Sequence, residues 1–383
     1  MSARTRITNQ NWGKPPWRVG FRPRKRRLPG TVEFAIVGGG FSGLAAAAWL
    51  RHLAPGKSVA VFEATRIGAG SSGHTGGIAL GETAAGDLPG LGDVLGGVRR
   101  ILRTLRVNCD FETGGVYELS HRSGMADSPI RWADSGELRV AKEVAGGSVD
   151  PGKMLGGLAR AAERLGAMIF EDARVESIDQ GRPLRLYVRG GEIPAHRTLV
   201  ATNAMSLELG GLAERAEPKF TLAVETEPLT AAQLSALGLD GRSPFYTVDL
   251  PYLWGRLRSN SRVIFGSGLV HLNDWRELER ISIEDGEAAE LLGRLCARVR
   301  GLHPALRGVK FTRRWGGPML VGPGWKPVFA RHGRTGDLLV LGAYSGHGVA
   351  LSVYLGCWAA EVMLGRRKMP NWGARGERGS GTA

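Results

Sequence analysis

Three glycines near the amino terminus are spaced for phosphate binding. Gly38, Gly40 and Gly43 have the GxGxxG spacing, and they separate an apolar run, residues 34–37, from an alanine- and leucine-rich run, residues 44–50. These runs predict a buried strand followed by a helix. A glycine turn at this junction directs free N–H groups and the positive end of the helix dipole at its mouth, where a pyrophosphate fits.

A carboxylate in the right place strengthens this interpretation. A second apolar run, residues 59–62, ends in Glu63, which lies about 20 residues past the third glycine and can accept both ribose hydroxyls of an adenosine. Glu63 also disfavours a ribose phosphate, because two anions repel. The glycine spacing alone is weak and fits a packing turn, but the combination favours a dinucleotide site.

A second glycine-rich loop indicates which dinucleotide binds. Residues 67–77 are almost half glycine and carry Ser71, Ser72, His74 and Thr75, which favours a flavin lying close to the backbone over a nicotinamide. Near the other end, the apolar run 338–341 leads through a glycine turn into an apolar helix. Its N-terminus, around residues 346–349, is suited to stabilise negative charge on a reduced flavin.

The middle of the chain predicts a different architecture. Asp150 caps a helix that begins at Pro151, whereas residues 219–309 are rich in strand-forming residues. Within them, Tyr252, Trp254 and Arg256 alternate and are expected on one face of a strand, as an aromatic wall with a guanidinium for an anionic substrate group. A surface charge at Arg256 and an ordinary sheet residue at Tyr252 remain equally open.

The chain resembles the FAD-dependent oxidoreductases of the D-amino-acid oxidase, glycine oxidase and sarcosine oxidase family. The resemblance rests on five segments in a fixed order: "VGGGFSG", "FEATRIGAGSSGHTGG", "SVDPGKMLGGLARAAERLGAMIFEDARVESID", "LVATNA" and "GAYSGHGVALSVYLG". It implies an α/β fold, in which a Rossmann-type FAD-binding domain is interleaved with an α+β substrate domain built on a mainly antiparallel sheet. The expected division is a basic extension (1–30), an FAD-binding domain (31–115, 151–215 and 311–368), a substrate domain (116–150 and 216–310) and a tail (369–383).

The motifs and the resemblance together give the expected site residues. Arg256, Tyr252 and His74 are the candidate catalytic residues, and Val175 is expected to contact the adenine through its backbone. No metal site is predicted. The expected FAD-binding residues are Gly38, Gly40, Phe41, Ser42, Gly43, Glu63, Ala64, Ser71, Ser72, Gly73, His74, Thr75, Gly76, Val175, Thr202, Gly342, Ser345, Gly346, His347, Gly348 and Val349.

The resemblance also implies the reaction. A hydride passes from the carbon beside an amine nitrogen to flavin N5, and the resulting imine is hydrolysed without a general base. In the segment 313–324, Pro318 and Met319 stand in the region where amino-acid oxidases of the family have an arginine for the substrate carboxylate. The matching arginine is missing, as in the amine-oxidising, γ-glutamylputrescine oxidase-like branch. Met319 stands where sarcosine oxidase has its flavin-linked cysteine, so attachment of the flavin there is excluded. An apolar residue near Ile264 replaces that enzyme's oxygen-activating lysine, which disfavours efficient use of oxygen. The expected electron acceptor is oxygen or another acceptor.

His74 has two interpretations. Related dehydrogenases carry in a similar loop a histidine that is bonded to the flavin C8 methyl. A noncovalent histidine at the edge of the ring is favoured here, because the neighbouring glycines already explain close approach of the cofactor. For His347, a contact that stabilises the backbone is expected.

The net charge of +15 is concentrated at the two ends of the chain. Residues 1–30 hold nine basic residues and no acid, and residues 366–383 hold five against one, which leaves +2 for the rest. Family members that oxidise a modified base in transfer RNA keep an alternative open, a flavoprotein that acts on or binds RNA through its basic tail. Specific nucleic-acid recognition is not expected, since base-stacking motifs are lacking. Trp12 and Trp17 are expected to anchor the extension to the body.

The cysteines and the hydropathy indicate the compartment. Cys109, Cys296 and Cys357 lack CxxC spacing, which suggests reduced thiols in a cytoplasm. The basic region before residue 34 mimics a signal peptide, but cleavage there would remove the glycine turn. No transmembrane segment is expected.

Overall fold

The computed structural model describes residues 10–333 and 335–372. Residues 1–9 of the predicted basic extension and 373–383 of the predicted tail lie outside this part. The helices are α1 (Phe41–Leu53), α2 (Ser71–His74), α3 (Val94–Thr104), α4 (Pro151–Arg164), α5 (Ala231–Ala236), α6 (Gly286–Leu302) and α7 (Gly348–Met363). The strands are β1 (Val32–Val37), β2 (Val59–Phe62), β3 (Ile78–Leu80), β4 (Val116–Ser120), β5 (Arg131–Ala133), β6 (Glu137–Val144), β7 (Gly146–Ser148), β8 (Met168–Phe170), β9 (Val175–Asp179), β10 (Leu184–Val188), β11 (Gly191–Val200), β12 (Glu217–Thr226), β13 (Phe245–Thr247), β14 (Trp254–Leu257), β15 (Val263–His271), β16 (Phe311–Val321), β17 (Val328–His332) and β18 (Leu338–Gly342).

The chain divides into two units, each with its own large sheet. The first, here called the parallel-sheet unit, contains residues 17–111, 149–217 and the described part of 319–372. Its sheet has the order β17-β18-β11-β1-β2-β8, with β10 paired to β11 and β9 to β10. Strands β18, β11, β1, β2 and β8 run parallel, which is the Rossmann-type arrangement that the sequence predicts.

Small residues allow the helices of this unit to pack closely. Helices α1 and α7 are almost entirely buried, because both are apolar on all sides. A Cβ atom on Gly356 would lie 2.4 Å from the carbonyl oxygen of Ser42, so the two helix backbones touch at this point. Helix α4 begins as predicted, since the Asp150 carboxylate accepts the Lys153 N–H at 2.8 Å.

The antiparallel-sheet unit contains residues 112–148, 218–318 and the described part of 1–16. Its sheet has the order β16-β12-β15-β14-β13-β4-β6-β5. Among the described pairings only β13 and β4 run parallel. The prediction of a mainly antiparallel sheet is therefore confirmed. An aromatic cluster covers one sheet face, with Phe245 against Trp132 at 4.9 Å and against Phe265 at 5.8 Å between ring centroids.

Both tryptophans of the basic extension are buried, as predicted. Trp12 belongs to the antiparallel-sheet unit, where its indole N–H donates to the Leu278 carbonyl at 3.0 Å. Trp17 belongs to the parallel-sheet unit, where its indole N–H donates to the Gly73 carbonyl at 2.6 Å. The extension is thus anchored at Trp12 and at Trp17.

The cysteines of the described residues are buried free thiols, and burial raises the pKa of Cys109 to about 12. A search of the described helices finds none with the length and hydropathy needed to cross a membrane.

Candidate FAD site and substrate-binding strand

The first glycine turn has the geometry that the motif predicts. Gly38 has a φ of +107°, which favours glycine, and its N–H donates to the Phe62 carbonyl at 2.9 Å. A Cβ atom on Gly43 would lie 2.0 Å from the Gly38 carbonyl oxygen. Glycine is therefore needed for helix α1 to start directly over the end of β1. The first N–H groups of such a helix have no acceptor within it and point at the turn's mouth.

Glu63 closes one side of this mouth. One oxygen of its carboxylate accepts the Gly39 N–H at 2.8 Å, and the other accepts the Thr65 N–H at 3.0 Å. Burial raises the pKa of Glu63, and the two backbone hydrogen bonds oppose that shift. The Thr65 hydroxyl also donates to the second oxygen, at 3.3 Å. The oxygen that accepts from Gly39 keeps a second lone pair, to which a ribose hydroxyl of an adenosine can donate.

Part of the second glycine-rich loop is a helical turn, α2, where the sequence suggests a loop. The Ser72 hydroxyl accepts the Phe41 N–H at 3.0 Å, and the Ser71 hydroxyl accepts from the Asn203 amide at 3.0 Å. A Cβ atom on Gly73 would lie 1.8 Å from the Gly68 carbonyl oxygen, so the loop closes tightly on itself. Helix α2 is thereby joined to the start of α1.

His74 ends this turn and is held in one tautomer. Its Nδ1 lies 3.0 Å from the Gly70 carbonyl oxygen, which requires a proton on Nδ1. Burial lowers the pKa of His74, and the bond to Gly70 opposes that shift. The side chain is therefore neutral near pH 7, with Nε2 as the unprotonated nitrogen.

The second strand, turn and helix unit is joined to the first. The Tyr344 and Ser42 hydroxyls lie 2.6 Å apart, and both side chains are buried. Burial raises the pKa of Tyr344 far above its ordinary value. Ser345 has a φ of +52°, and its hydroxyl accepts the Gly322 N–H at 3.0 Å. Asn203, which the sequence analysis missed, also accepts the Ala343 N–H at 3.0 Å and so connects this turn to α2.

The remaining predicted FAD residues lie on the same unit. His347 precedes helix α7, its Nδ1 lies 3.4 Å from the Ser345 carbonyl oxygen, and burial lowers its pKa. Three others begin helices, namely Phe41 in α1 and Gly348 and Val349 in α7. The residues placed in loops or at strand ends are Ala64, Thr75, Gly76, Val175, Gly342 and Gly346. The hydroxyl oxygens of Ser71, Ser72 and Ser345 accept protein N–H groups, which leaves their own O–H protons as possible donors to FAD.

One buried polar atom independently indicates a ligand. The Thr202 hydroxyl, directly after β11, is buried without a hydrogen-bond partner among the described residues. Buried hydroxyls are normally paired, since an unpaired one is costly. With the glycine turn and Glu63, this hydroxyl fits an adenine dinucleotide.

The strand predicted to bind substrate lies in the antiparallel-sheet unit. Trp254 and Arg256 are two residues apart on β14, and Gly255 between them faces the Phe245 ring. Trp254 and Arg256 therefore share the face opposite the aromatic cluster. A Cβ atom on Gly266 would lie 2.0 Å from the Trp254 ring, so the missing side chain lets this ring lie flat across the sheet. Arg256 is only 7% exposed.

Tyr252 does not lie on this strand, and the prediction that it alternates with Trp254 is wrong. Strand β14 begins at Trp254, because Pro251 has no N–H and the Tyr252 carbonyl accepts from Arg298 at 2.8 Å. The Ser267 hydroxyl donates to the same carbonyl. Burial raises the pKa of the Tyr252 phenol.

Arg298, which the sequence analysis missed, fixes the segment before β14. Its guanidinium binds both oxygens of Asp134, at 2.9 and 2.5 Å, and also donates to the Pro251 carbonyl at 2.7 Å. Arg298 lies on helix α6, 164 residues from Asp134. Nothing in the local sequence indicates this role, because the partner is distant along the chain.

Comparisons with known proteins find relatives that are similar in sequence and structures that are similar in fold. Gamma-glutamylputrescine oxidoreductase of Escherichia coli (strain K12) is 27% identical over 380 residues, which cover 88% of this chain and 84% of that protein. Glycine oxidase of Bacillus licheniformis is 24% identical over 369 residues, which cover 88% and 94%. The crystal structure of glycine oxidase from Geobacillus kaustophilus has the same fold, with a TM-score of 0.68 and 18% identity over 89% of this chain and 96% of that one.

The family itself follows from the longest match. The model of the family described as DAO, FAD dependent oxidoreductase, matches residues 33–362, which is most of the chain and includes every motif discussed above. As the motif resemblance predicts, this protein belongs to the DAO family of FAD-dependent oxidoreductases.

Proposed function

We propose that this FAD-dependent enzyme oxidises a C–N bond of an amine or amino acid that carries an anionic group. The observation that supports the anionic group is the nearly buried Arg256 beside Trp254 on β14. A guanidinium in such surroundings binds a carboxylate strongly and in a fixed orientation. The names of the relatives, gamma-glutamylputrescine oxidoreductase and glycine oxidase, support the amine and amino-acid class.

The geometry supports these roles for the chain's own residues. The first glycine turn and Glu63 would hold the dinucleotide, and the N-terminus of α7 would stabilise negative charge on the flavin. When bound, FAD supplies the acceptor for the hydride that leaves the carbon next to nitrogen. Arg256 would orient the substrate through its anionic group.

No side-chain base is required for this reaction. The amine reacts in its neutral form, and the loss of a hydride and of the nitrogen proton leaves an imine. Water then hydrolyses the imine to a carbonyl compound and an amine or ammonia. We propose oxygen or another acceptor as the final oxidant; an apolar residue near Ile264 in place of a lysine disfavours efficient use of oxygen. We also propose a cytoplasmic location, because the three thiols are free.

An anaerobic screen tests this function. Purified holoenzyme is mixed with amines and amino acids with and without a distal carboxylate, and the loss of the oxidised-flavin absorbance is recorded. Rapid reduction by anionic amines supports the proposal. Holoenzyme that no amine or amino acid reduces would refute it.

The RNA-associated alternative gains no support from the relatives described above. An RNA-associated function would require tight RNA binding that weakens steeply with salt and depends on the basic residues of 1–30. Measuring RNA affinity at two salt concentrations alongside the screen separates the two functions.

A further inference from the structure

Trp17 and the residues that follow it lie against helices α2 and α4. Helix α2 carries several of the residues predicted to contact FAD. We propose that residues 17–24, here called the N-terminal brace, position the α2 turn for FAD and so form part of the cofactor site. Nothing in the family motifs assigns this role, since the brace precedes the family match that begins at residue 33.

The contact between Trp17 and α2 is direct. The Trp17 indole N–H donates to the Gly73 carbonyl at 2.6 Å, and the side chain is only 7% exposed. Carbonyls in the last turn of a helix have no acceptor role within it, so they need an outside donor. Trp17 supplies that donor to a turn too short to be stable alone.

The rest of the brace runs along helix α4, which is shaped to receive it. A Cβ atom on Gly152 would lie 2.4 Å from the Arg18 carbonyl oxygen, so the brace backbone crosses α4 where it lacks a side chain. The Arg160 guanidinium donates to the Gly20 carbonyl at 2.6 Å, and the Arg24 N–H donates to Glu163 at 2.9 Å. Both bonds lie beyond the crossing at Gly152, so they hold the brace along the C-terminal half of α4.

The position of α2 matters for the cofactor through Ser72, which is one of its residues. The Ser72 hydroxyl accepts the N–H of Phe41, the first residue of helix α1 and a neighbour of the predicted pyrophosphate turn. A shift of α2 therefore moves a group that touches the helix start. Residues predicted to contact FAD, from Ser71 to Gly76, share this turn or follow it directly.

Two matched pairs of variants test the brace, with the dissociation constant for FAD and the melting temperature of the apoprotein as readouts. Trp17→Phe keeps an aromatic ring but removes the N–H that bonds to Gly73. Trp12→Phe removes the equivalent bond to Leu278 in the other unit. Arg160→Met removes the bond to Gly20, whereas Arg164→Met on the same helix removes a bond to Leu105.

We expect Trp17→Phe to raise the FAD dissociation constant by about fivefold or more, because a carbonyl of the cofactor turn loses its donor. Arg160→Met should raise it by about twofold, since its bond is exposed. Trp12→Phe and Arg164→Met should lower the melting temperature without changing the dissociation constant. Equal effects within each pair, or wild-type FAD affinity in both Trp17→Phe and Arg160→Met, would refute the brace. The assay measures FAD binding alone, so its outcome does not depend on amine oxidation.

Discussion

Replacing Gly40 with alanine separates the cofactor role of the first glycine turn from its role in folding. A Cβ atom at Gly40 would lie 2.9 Å from the Ser72 hydroxyl oxygen and 3.8 Å from the Ser72 Cβ. Its close contacts are therefore with a side chain and not with backbone. Gly40 also has a φ of −85°, which alanine adopts without strain. Gly40→Ala should therefore fold, unlike a change at Gly43, whose Cβ would meet backbone.

The contacts of Gly40 indicate two separate effects of the alanine, one on stability and one on FAD affinity. Turning the Ser72 hydroxyl aside forfeits its bond from the Phe41 N–H, which costs about 1 kcal/mol in stability. The new methyl group also stands at the mouth of the turn, where a pyrophosphate approaches the backbone. We expect FAD affinity to fall at least tenfold, which corresponds to about 1.4 kcal/mol.

Equilibrium titration of the apoprotein with FAD measures this loss, and thermal unfolding reports the stability cost. Gly56→Ala is the matched control, because a Cβ atom there meets nothing within 4 Å. The double variant Gly40→Ala with Ser72→Ala removes the crowded hydroxyl, so it restores FAD binding only if crowding is the sole cause. Wild-type FAD affinity in Gly40→Ala would show that this turn is not the pyrophosphate site.

Three further predictions concern charged and titratable groups. Arg256→Met should raise KM for anionic amines by about tenfold and leave neutral amines unaffected; steady-state kinetics showing equal losses for both classes would contradict this role. Acid precipitation of the wild-type protein should release the flavin, and a flavin-bearing peptide containing His74 in mass spectra would contradict a noncovalent site. Burial lowers the pKa of both His74 and His347 from 6.5, so the unfolded chain binds protons more readily and stability falls as pH drops through about 6.5. His74→Asn should lessen that fall, measured as the change in melting temperature between about pH 7.5 and about pH 5.5; an unchanged fall would show that His74 does not titrate in this way.

Much of the geometry of the candidate cofactor site could be predicted because its signals are local. Gly38 directly follows β1, Gly43 lies in the first turn of α1, and Glu63 directly follows the next strand, β2. Close packing of backbone against backbone demands glycine there, so the sequence carries the geometry directly. The parallel sheet follows from the same local units, since strand, turn and helix repeated in one chain favour it.

The strand predicted to bind substrate shows where residue spacing misleads. Alternation of Tyr252, Trp254 and Arg256 predicts a common face only if all three lie in the strand. Pro251 shifts the strand start to Trp254, and the Tyr252 carbonyl bonds to Arg298 instead of a ladder partner. Trp254 and Arg256 keep their shared face, so the hypothesis of an anion-binding arginine rests on two residues rather than three.

The residues that sequence analysis missed have a common physical character. Asn203 reaches Ser71 across 132 residues, and Arg298 reaches Asp134 across 164. Asn203 bonds to the predicted site residue Ser71, and Arg298 also bonds to the carbonyl of Tyr252. Each therefore acts by holding a segment with a predicted site residue in place. Such bonds depend on which elements become neighbours in the folded chain, and neither residue type nor local spacing records that. Trp17 was expected to anchor the extension to the body, but its partner, the carbonyl of Gly73, is visible only in the fold, 56 residues away. The side chains that support a site are therefore harder to predict than the turns that form it.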